Sequence, residues 1–235
     1  RWREFFRLLK YTFIGRRGFR KAPVAWKKNR KPYNSTTSQM SYFDYFFYVE
    51  KLRIKSKKLR KYYYSLCIPP DYNKKYIYFP APYQPEAVTA TNAGSYTFLF
   101  LSLDILSSVI PNDWVIYYKE YNYIFDDPLG KGSLRRDKNF YQKLNSYKNV
   151  ELINDKLNTF NLIDSSVAVA TVSGTVGWEA AVRGKPSLAF GNAWYFGCKS
   201  IFWIKTLNDA KKAIKKIING FQPDQNDLDR YIASI

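Results

Sequence analysis

Residues 171–191 read TVSGTVGWEAAVRGKPSLAFG, and this stretch decides how the rest of the chain is understood. An apolar run over 166–172 leads into Ser173-Gly174-Thr175. A helix-compatible segment follows over 176–183, then Gly184-Lys185-Pro186, then a second apolar run over 187–190. Strand, small-residue turn, helix, glycine stop and strand make a βαβ unit, whose helix packs between parallel strands. Ser173, Gly174 and Thr175 then sit at a helix N-terminus, where backbone N–H groups and the helix dipole favour an anion such as a phosphate. Glu179 lies one turn further on the same face, within reach of a bound nucleotide's sugar hydroxyls. The plainer reading is that Gly174 and Thr175 make only a tight turn and cap.

Working outward, strands and helices alternate from residue 74 onward. The pattern predicts strands over 76–79, 114–118, 150–153, 167–171 and 187–190. It predicts helices over 96–110, 139–146, 157–163, 176–183, 207–219 and 224–233. Such alternation implies a parallel sheet with helices on both faces, of Rossmann type, whose ligands bind beyond the carboxyl ends of the strands. The residues after each strand are therefore the candidates. After the first comes the proline-stiffened loop Pro80-Ala-Pro-Tyr-Gln-Pro-Glu86, which suits presentation of Gln84 and Glu86 at fixed positions. After the second come Lys119, Glu120, Tyr121 and Asn122, and after the third Asn154 and Asp155. Ser173-Gly174-Thr175 follow the fourth, and residues 191–195, GNAWY, the fifth. No G-x-G-x-x-G follows the first strand, and the P-loop pattern is absent. Gly184-Lys185 follows its helix rather than preceding one, so Gly184 reads as a helix stop.

The 235 residues allow one large or two small domains with a real core, and 46% hydrophobic content with 19% aromatic argues against disorder. No apolar run reaches the roughly 18 to 20 residues needed to span a bilayer. The chain does not begin with Met, and it is expected to be a piece of a longer protein. Cys67 and Cys198 are too few for a disulfide framework, which suits a reducing cytoplasm and two small buried apolar side chains. There is no histidine. Imidazole acid/base chemistry, Ser-His-Asp triads and His-based metal sites are thereby excluded from this chain.

The net charge of +19 is uneven: residues 1–70 hold 19 Lys and Arg against Glu4, Asp44 and Glu50, while residues 71–235 hold 19 against 16 acids. Two regions are expected, a basic, aromatic-rich, mainly helical segment over 1–70 and a Rossmann-like domain over 71–235. A helix is predicted from 42 to about 65, capped by Ser41, with Pro69-Pro70 ending it. Lys and Arg interleaved with Trp2, Phe5, Phe6, Phe13, Phe19 and Trp26 suit an anionic membrane surface through residues 1–61. Nucleic acid is the weaker alternative, because no recognised nucleic-acid motif accompanies the charge. A segment packed on a missing partner domain is the plain alternative.

Taken together and in order, YIYFPAPYQPEAVT (76–89), VIYYKE (115–120), YKNVELI (147–153) and TVSGTVGWEAAVRGKPSLAFGNAWY (171–195) resemble the capsule polysaccharide biosynthesis family. That family includes the β-Kdo glycosyltransferases of bacterial surface polysaccharide assembly. The resemblance covers residues 68–205. It implies a GT-B architecture, in which this chain is the carboxy-terminal, donor-binding domain and the acceptor domain is missing or much reduced. It implies a nucleotide-activated donor such as CMP-Kdo as substrate, no further cofactor, no metal, and a lipid-linked or polysaccharide acceptor. Cytoplasmic location, peripheral to the inner membrane, goes with that role. Position by position, Ser173, Gly174 and Thr175 would hold the nucleotide phosphate and Glu179 would approach the ribose. Gln84, Lys119, Glu120, Tyr121 and Asn122 would complete the nucleotide-sugar site, and Glu86 would be the catalytic carboxylate, as nucleophile or as stabiliser of an oxocarbenium-like transition state. The family continues Lys-Glu with His-Pro, where this chain has Tyr121-Asn122. Both can hydrogen-bond a phosphate or base, but neither titrates near neutrality. That departure keeps three alternatives open: a non-catalytic or degenerate binding module of the same fold, a sugar-nucleotide epimerase, and a basic nucleic-acid-binding protein.

Overall fold

The computed structural model of the protein describes residues 42–82 and 92–234. Six strands form one parallel sheet: β1 (Tyr76–Pro80), β2 (Val115–Lys119), β3 (Val150–Ile153), β4 (Ala168–Thr171), β5 (Ser187–Ala189) and β6 (Phe202–Trp203). Their order is β3-β2-β1-β4-β5-β6, with every neighbouring pair parallel. This is the doubly wound Rossmann order, and its switch point falls between β1 and β4. The alternating-element pattern thus delivers the expected fold class. The two-residue β6 was not predicted, because a strand that short carries no period of its own.

The helices are α1 (Tyr42–Leu66), α2 (Leu99–Val109), α3 (Tyr123–Asp126), α4 (Lys138–Asn145), α5 (Thr159–Ser165), α6 (Val176–Val182), α7 (Leu207–Ile218) and α8 (Gln225–Ala233). Side-chain caps account for several of their starts. Asp137 accepts from Phe140 N–H, Asn158 from Phe160 and Asn161 N–H, and Thr206 with Asp209 closes a reciprocal capping box. The single helix expected over 96–110 is instead a 3₁₀ turn, Gly94–Thr97, then α2, because Phe98 between them is extended. The short α3 was also not predicted; at one turn it is below the length at which helical periodicity can be read.

Alternate strand positions face opposite ways, and each face has its own core. Ile77, Phe79, Ile116, Tyr118, Leu152 and Ala170 pack with α1, α2, α4 and α7 through Tyr63, Leu103, Leu106, Tyr141 and Ile214. Tyr76, Tyr78, Tyr117, Ile153 and Val169 pack on the other face with Leu162 and Ile163 of α5 and Ala180 of α6. A third cluster joins α6 to α8 through Ala181, Trp178, Tyr195, Leu228 and Tyr231.

The helix expected at the end of the basic segment is present as α1. Tyr45, Val49, Leu52, Ser56, Leu59 and Tyr63 recur at spacings of three and four and are all buried. Leu59 and Tyr63 belong to the main core. Tyr63 also ties two strand ends together, donating to the Ile153 carbonyl at 2.5 Å and accepting from Glu120 N–H at 3.0 Å. Beyond α1, Ile68 N–H donates to the Leu152 carbonyl, and Asp71 N–H to the Tyr117 hydroxyl. The chain on both sides of Pro69-Pro70 is thus bonded to the sheet. The expected Ser41 cap lies outside the described residues. Tyr63→Phe keeps the ring but strands two buried backbone groups, so it should destabilise the fold by about 1–3 kcal/mol. Urea denaturation followed by circular dichroism measures this.

Candidate functional site

At the carboxyl edge of the sheet, over the switch point, lies a cavity of about 770 Å³. Its walls come from the strand ends: Pro80 to Pro82 after β1, Lys119 to Asn122 after β2, Asp155 after β3, Ser173 to Thr175 after β4, and Asn192 to Trp194 after β5. Tyr78 and Thr159 also line it. Of the residues predicted for the site, Lys119, Glu120, Tyr121, Asn122, Ser173, Gly174 and Thr175 are brought together here. Gln84 and Glu86 lie outside the described residues.

The turn after β4 is built by its neighbours. Gly174 N–H donates to Thr171 Oγ1 at 3.1 Å, and the Tyr195 hydroxyl donates to the Gly174 carbonyl at 2.7 Å. Thr175 occupies the cap position of α6 without a side-chain cap bond. Its hydroxyl donates instead to Glu179 Oε1 at 3.2 Å, so Glu179 faces back toward the turn although it is not in the cavity wall. Ser173 is half-buried, and Gly174 and Thr175 are exposed to the cavity. Gly177, one turn in, is needed for close approach: a Cβ there would stand 2.3 Å from Tyr195 Oη. Gly184 ends α6 with φ +73°, and the bonds from Gly184 N–H to Ala181 and from Lys185 N–H to Ala180 complete a Schellman stop. Its structural reading holds.

Glu120 presents a different geometry from an open binding residue. Its carboxylate is fully buried and accepts from Arg136 Nε at 3.1 Å, the Tyr141 hydroxyl at 2.9 Å, the Tyr118 hydroxyl at 3.3 Å and Tyr121 N–H at 3.0 Å. Burial first, then the Glu120 charge, pushes the phenols of Tyr118 and Tyr141 up, so both stay protonated as donors. Burial works against the charge on Arg136, but the Glu120 carboxylate beside it raises its pKa overall. Arg136 Nη2 also donates to the Pro82 carbonyl at 3.3 Å, and its guanidinium lies 4.3 Å from the Phe140 ring centroid. The network therefore holds the ends of β1 and β2 at fixed separation and sets the backbone of Tyr121 at the cavity wall.

Lys119 closes the far side. Its Nζ donates to the Leu157 carbonyl at 2.8 Å and to Thr159 Oγ1 at 2.7 Å. Burial lowers its pKa, and the charge of Asp155 acts in the opposite sense. The Asp155 side chain is itself fully buried in the cavity wall, 3.7 Å from Arg60 Nη2 of α1, which donates to Asp126. Among the described residues no cluster of His, Cys, Asp and Glu is arranged to hold a metal.

Sequence reasoning passed over Arg136 and Tyr141, and it named Trp194 and Tyr195 only as part of the segment after the fifth strand. Arg136 lies in an irregular loop with nothing in its spacing to mark it, and its role exists only because Glu120 is buried opposite. Trp194 was visible as part of the segment after the fifth strand, though its position beside the Ser173–Thr175 turn was not.

Residues 122–218 match the model of the family described as Capsule polysaccharide biosynthesis protein, so the family resemblance is borne out over that segment. The match takes in Asn122, the Ser173–Thr175 turn and Glu179. No curated protein matches the chain. Among solved structures, the chain is similar to the β-Kdo 2,7 transferase of Thermosulfurimonas dismutans KpsC, with 18% identity over 69% of this chain and 52% of that one, TM-score 0.40. It is similar to the β-Kdo 2,4 transferase of the same KpsC, with 18% identity over 79% and 63%, TM-score 0.42. A third is UDP-GlcNAc 2-epimerase from Methanocaldococcus jannaschii, with 17% identity over 79% and 52%, TM-score 0.46. The chain spans between about half and two-thirds of the length of these proteins.

Breaking the buried pair from one side should be costly. Glu120→Gln is expected to lower stability by about 3–5 kcal/mol by leaving Arg136 uncompensated, whereas Glu120→Leu combined with Arg136→Met should recover much of the loss. Thermal melts of the three variants test this.

Proposed function

We propose, starting from the capsule polysaccharide biosynthesis family that residues 122–218 match, that this chain is the donor-binding part of a glycosyltransferase. It would take a sugar from a nucleotide-activated donor, CMP-Kdo being the donor the resemblance implies, and pass it to a surface-polysaccharide acceptor. The observation that carries this reading is the cavity at the switch point. The small-residue turn of the family-matched segment opens into it at the position where doubly wound sheets bind their ligands. In this reading Ser173, Gly174 and Thr175 hold the phosphate, Glu179 meets the ribose, and Lys119, Tyr121 and Asn122 line the nucleoside side. Gln84 and Glu86 come from the loop that Arg136 anchors at Pro82, with Glu86 as the carboxylate of the transfer step. Glu120 acts through the backbone of Tyr121 rather than by its own carboxylate, which is turned inward. A binding module without turnover is the second reading, favoured by Tyr121-Asn122 standing where the family has His-Pro.

Isothermal titration with CMP, UDP and GDP tests the site. One of them should bind, and Ser173→Ala or Thr175→Ala should weaken that binding roughly tenfold without lowering the melting temperature. No binding by any of the three to the folded chain would sink the proposal. Sugar transfer that disappears in Glu86→Gln would separate a transferase from a binding module.

Peripheral contact with an anionic membrane belongs to the same reading. No helix among the described residues is long and apolar enough to cross a bilayer. α1 turns Phe47, Ile54, Lys51, Lys55, Lys58 and Lys61 outward, the mixture of apolar and basic side chains that an anionic headgroup layer attracts. The chain should therefore co-sediment with vesicles containing phosphatidylglycerol, not with pure phosphatidylcholine, and the binding should fall as salt rises. Equal sedimentation with both would remove the electrostatic argument.

A further inference from the structure

Helix α6 has two flanks, and they face different surroundings. On one, Arg183 pairs with Asp164 of α5, and its guanidinium lies 4.9 Å from the Phe160 ring centroid. Glu179 stands one turn before Arg183 along the helix, close enough for its charge to act on the phenols of Tyr78 and Tyr195. On the other flank Trp178 packs with Trp194, ring centroids 5.1 Å apart, and with Tyr231 of α8 at 5.9 Å. The phosphate turn lies between the two. A nucleoside whose ribose meets Glu179 therefore occupies the α5 flank, and whatever continues beyond the phosphate runs toward Trp194.

Trp194 is prepared for such a neighbour. It lines the cavity, and 47% of its surface is exposed although it carries a large apolar ring. Its ring is held by Trp178 on one side and by Tyr195, 5.3 Å away and nearly perpendicular, on another. Its carbonyl accepts from the Tyr231 hydroxyl at 2.9 Å. The loop that carries it is pinned at its start by Gly191, where a Cβ would stand 2.8 Å from the Asn92 carbonyl oxygen. The Tyr195 hydroxyl then ties this loop to the Gly174 carbonyl, so aromatic ring and phosphate turn are held as one unit. A half-exposed indole, braced by two aromatic neighbours and lining the cavity beside the turn, suits the apolar C–H face of a sugar ring, whose hydroxyls remain at the rim.

We propose that Trp194 is the stacking surface for the transferred sugar of the nucleotide sugar, on the opposite side of the Ser173–Thr175 turn from the nucleoside. The assignment rests on the nucleotide-site reading above, and it makes Trp194 a residue that distinguishes sugar conjugate from bare nucleotide. The test compares UDP with UDP-N-acetylglucosamine, CMP with CMP-Kdo and GDP with GDP-mannose by calorimetry. For whichever pair binds, Trp194→Ala should weaken the sugar conjugate about tenfold and leave the free nucleotide within about twofold, while Trp194→Phe keeps most of the affinity. Equal losses for both ligands, or no loss for either, would overturn it. Fluorine NMR of the wild-type chain carrying 5-fluorotryptophan, with the Trp194 resonance assigned through Trp194→Phe, needs no truncated side chain. That resonance should move with the sugar conjugate and not with the nucleotide, and a resonance that moves with both or with neither overturns the proposal. Failure of the wild-type chain to bind any of the six compounds would remove the nucleotide site and this assignment together. Failure of Trp194 alone would appear only in the variant and in the fluorine signal.

Discussion

Glu120 and Arg136 meet at 3.1 Å with almost nothing of either side chain exposed to solvent, and much of the cavity's geometry follows from satisfying them. A buried carboxylate is tolerated only when its oxygens are taken up by donors, and here a guanidinium, two phenols and a backbone N–H do so. Each donor comes from a different part of the chain: the loop before α4, helix α4 itself, strand β2 and the second residue after it. Arg136 then reaches on to the Pro82 carbonyl, so the pair spans the ends of β1 and β2. Tyr63 adds α1 and the end of β3 to the same corner. The polar interior thus sets one wall of the cavity, while the apolar cores on the two sheet faces set the strand order beneath it.

The other wall is set by close approach rather than charge. Gly177 lets the Tyr195 hydroxyl reach the Gly174 carbonyl across a gap that any side chain would fill. The turn after β4 and the loop after β5 are thereby joined, and Trp194 is carried to the rim with its ring braced by Trp178. Lys119, Thr159 and Tyr78 line the cavity together with the half-exposed indole of Trp194 and the small-residue turn. On the proposal made above, a nucleotide sugar would meet these surfaces with its heterocycle, its phosphate and the apolar face of its sugar ring.

Much of this was legible in the chain. Local patterns carry local information: the period of each apolar run marked five of the six strands. Gly184 was readable as a stop because only glycine takes φ +73° without strain. What escaped were elements too short to show a period, α3 and β6, and the break at Phe98 within an otherwise helical run. Lys119 and Glu120 were equally visible as charged residues at a strand end, and both belong to the cavity wall, yet the Glu120 carboxylate is buried against Arg136 and Tyr141. Adjacent residues of a strand point to opposite faces, and sequence alone did not say which of the two would find Arg136.

The sequence by itself determined the class of the fold, the run of strand ends that converge on one edge, the small-residue turn after the fourth of them, and the absence of imidazole chemistry. These depend on periodicity, composition and residue type, which are properties of short stretches. Only the tertiary structure decided that Glu120 is a buried partner of Arg136, that α1 belongs to the sheet's core through Tyr63, and that Trp194 stands beside the turn at Ser173–Thr175. Each of these is a contact between residues 16 to 57 positions apart, or across a crossover helix. Such contacts are chosen by how whole faces pack and by which buried polar groups can satisfy one another, and no single stretch contains that information.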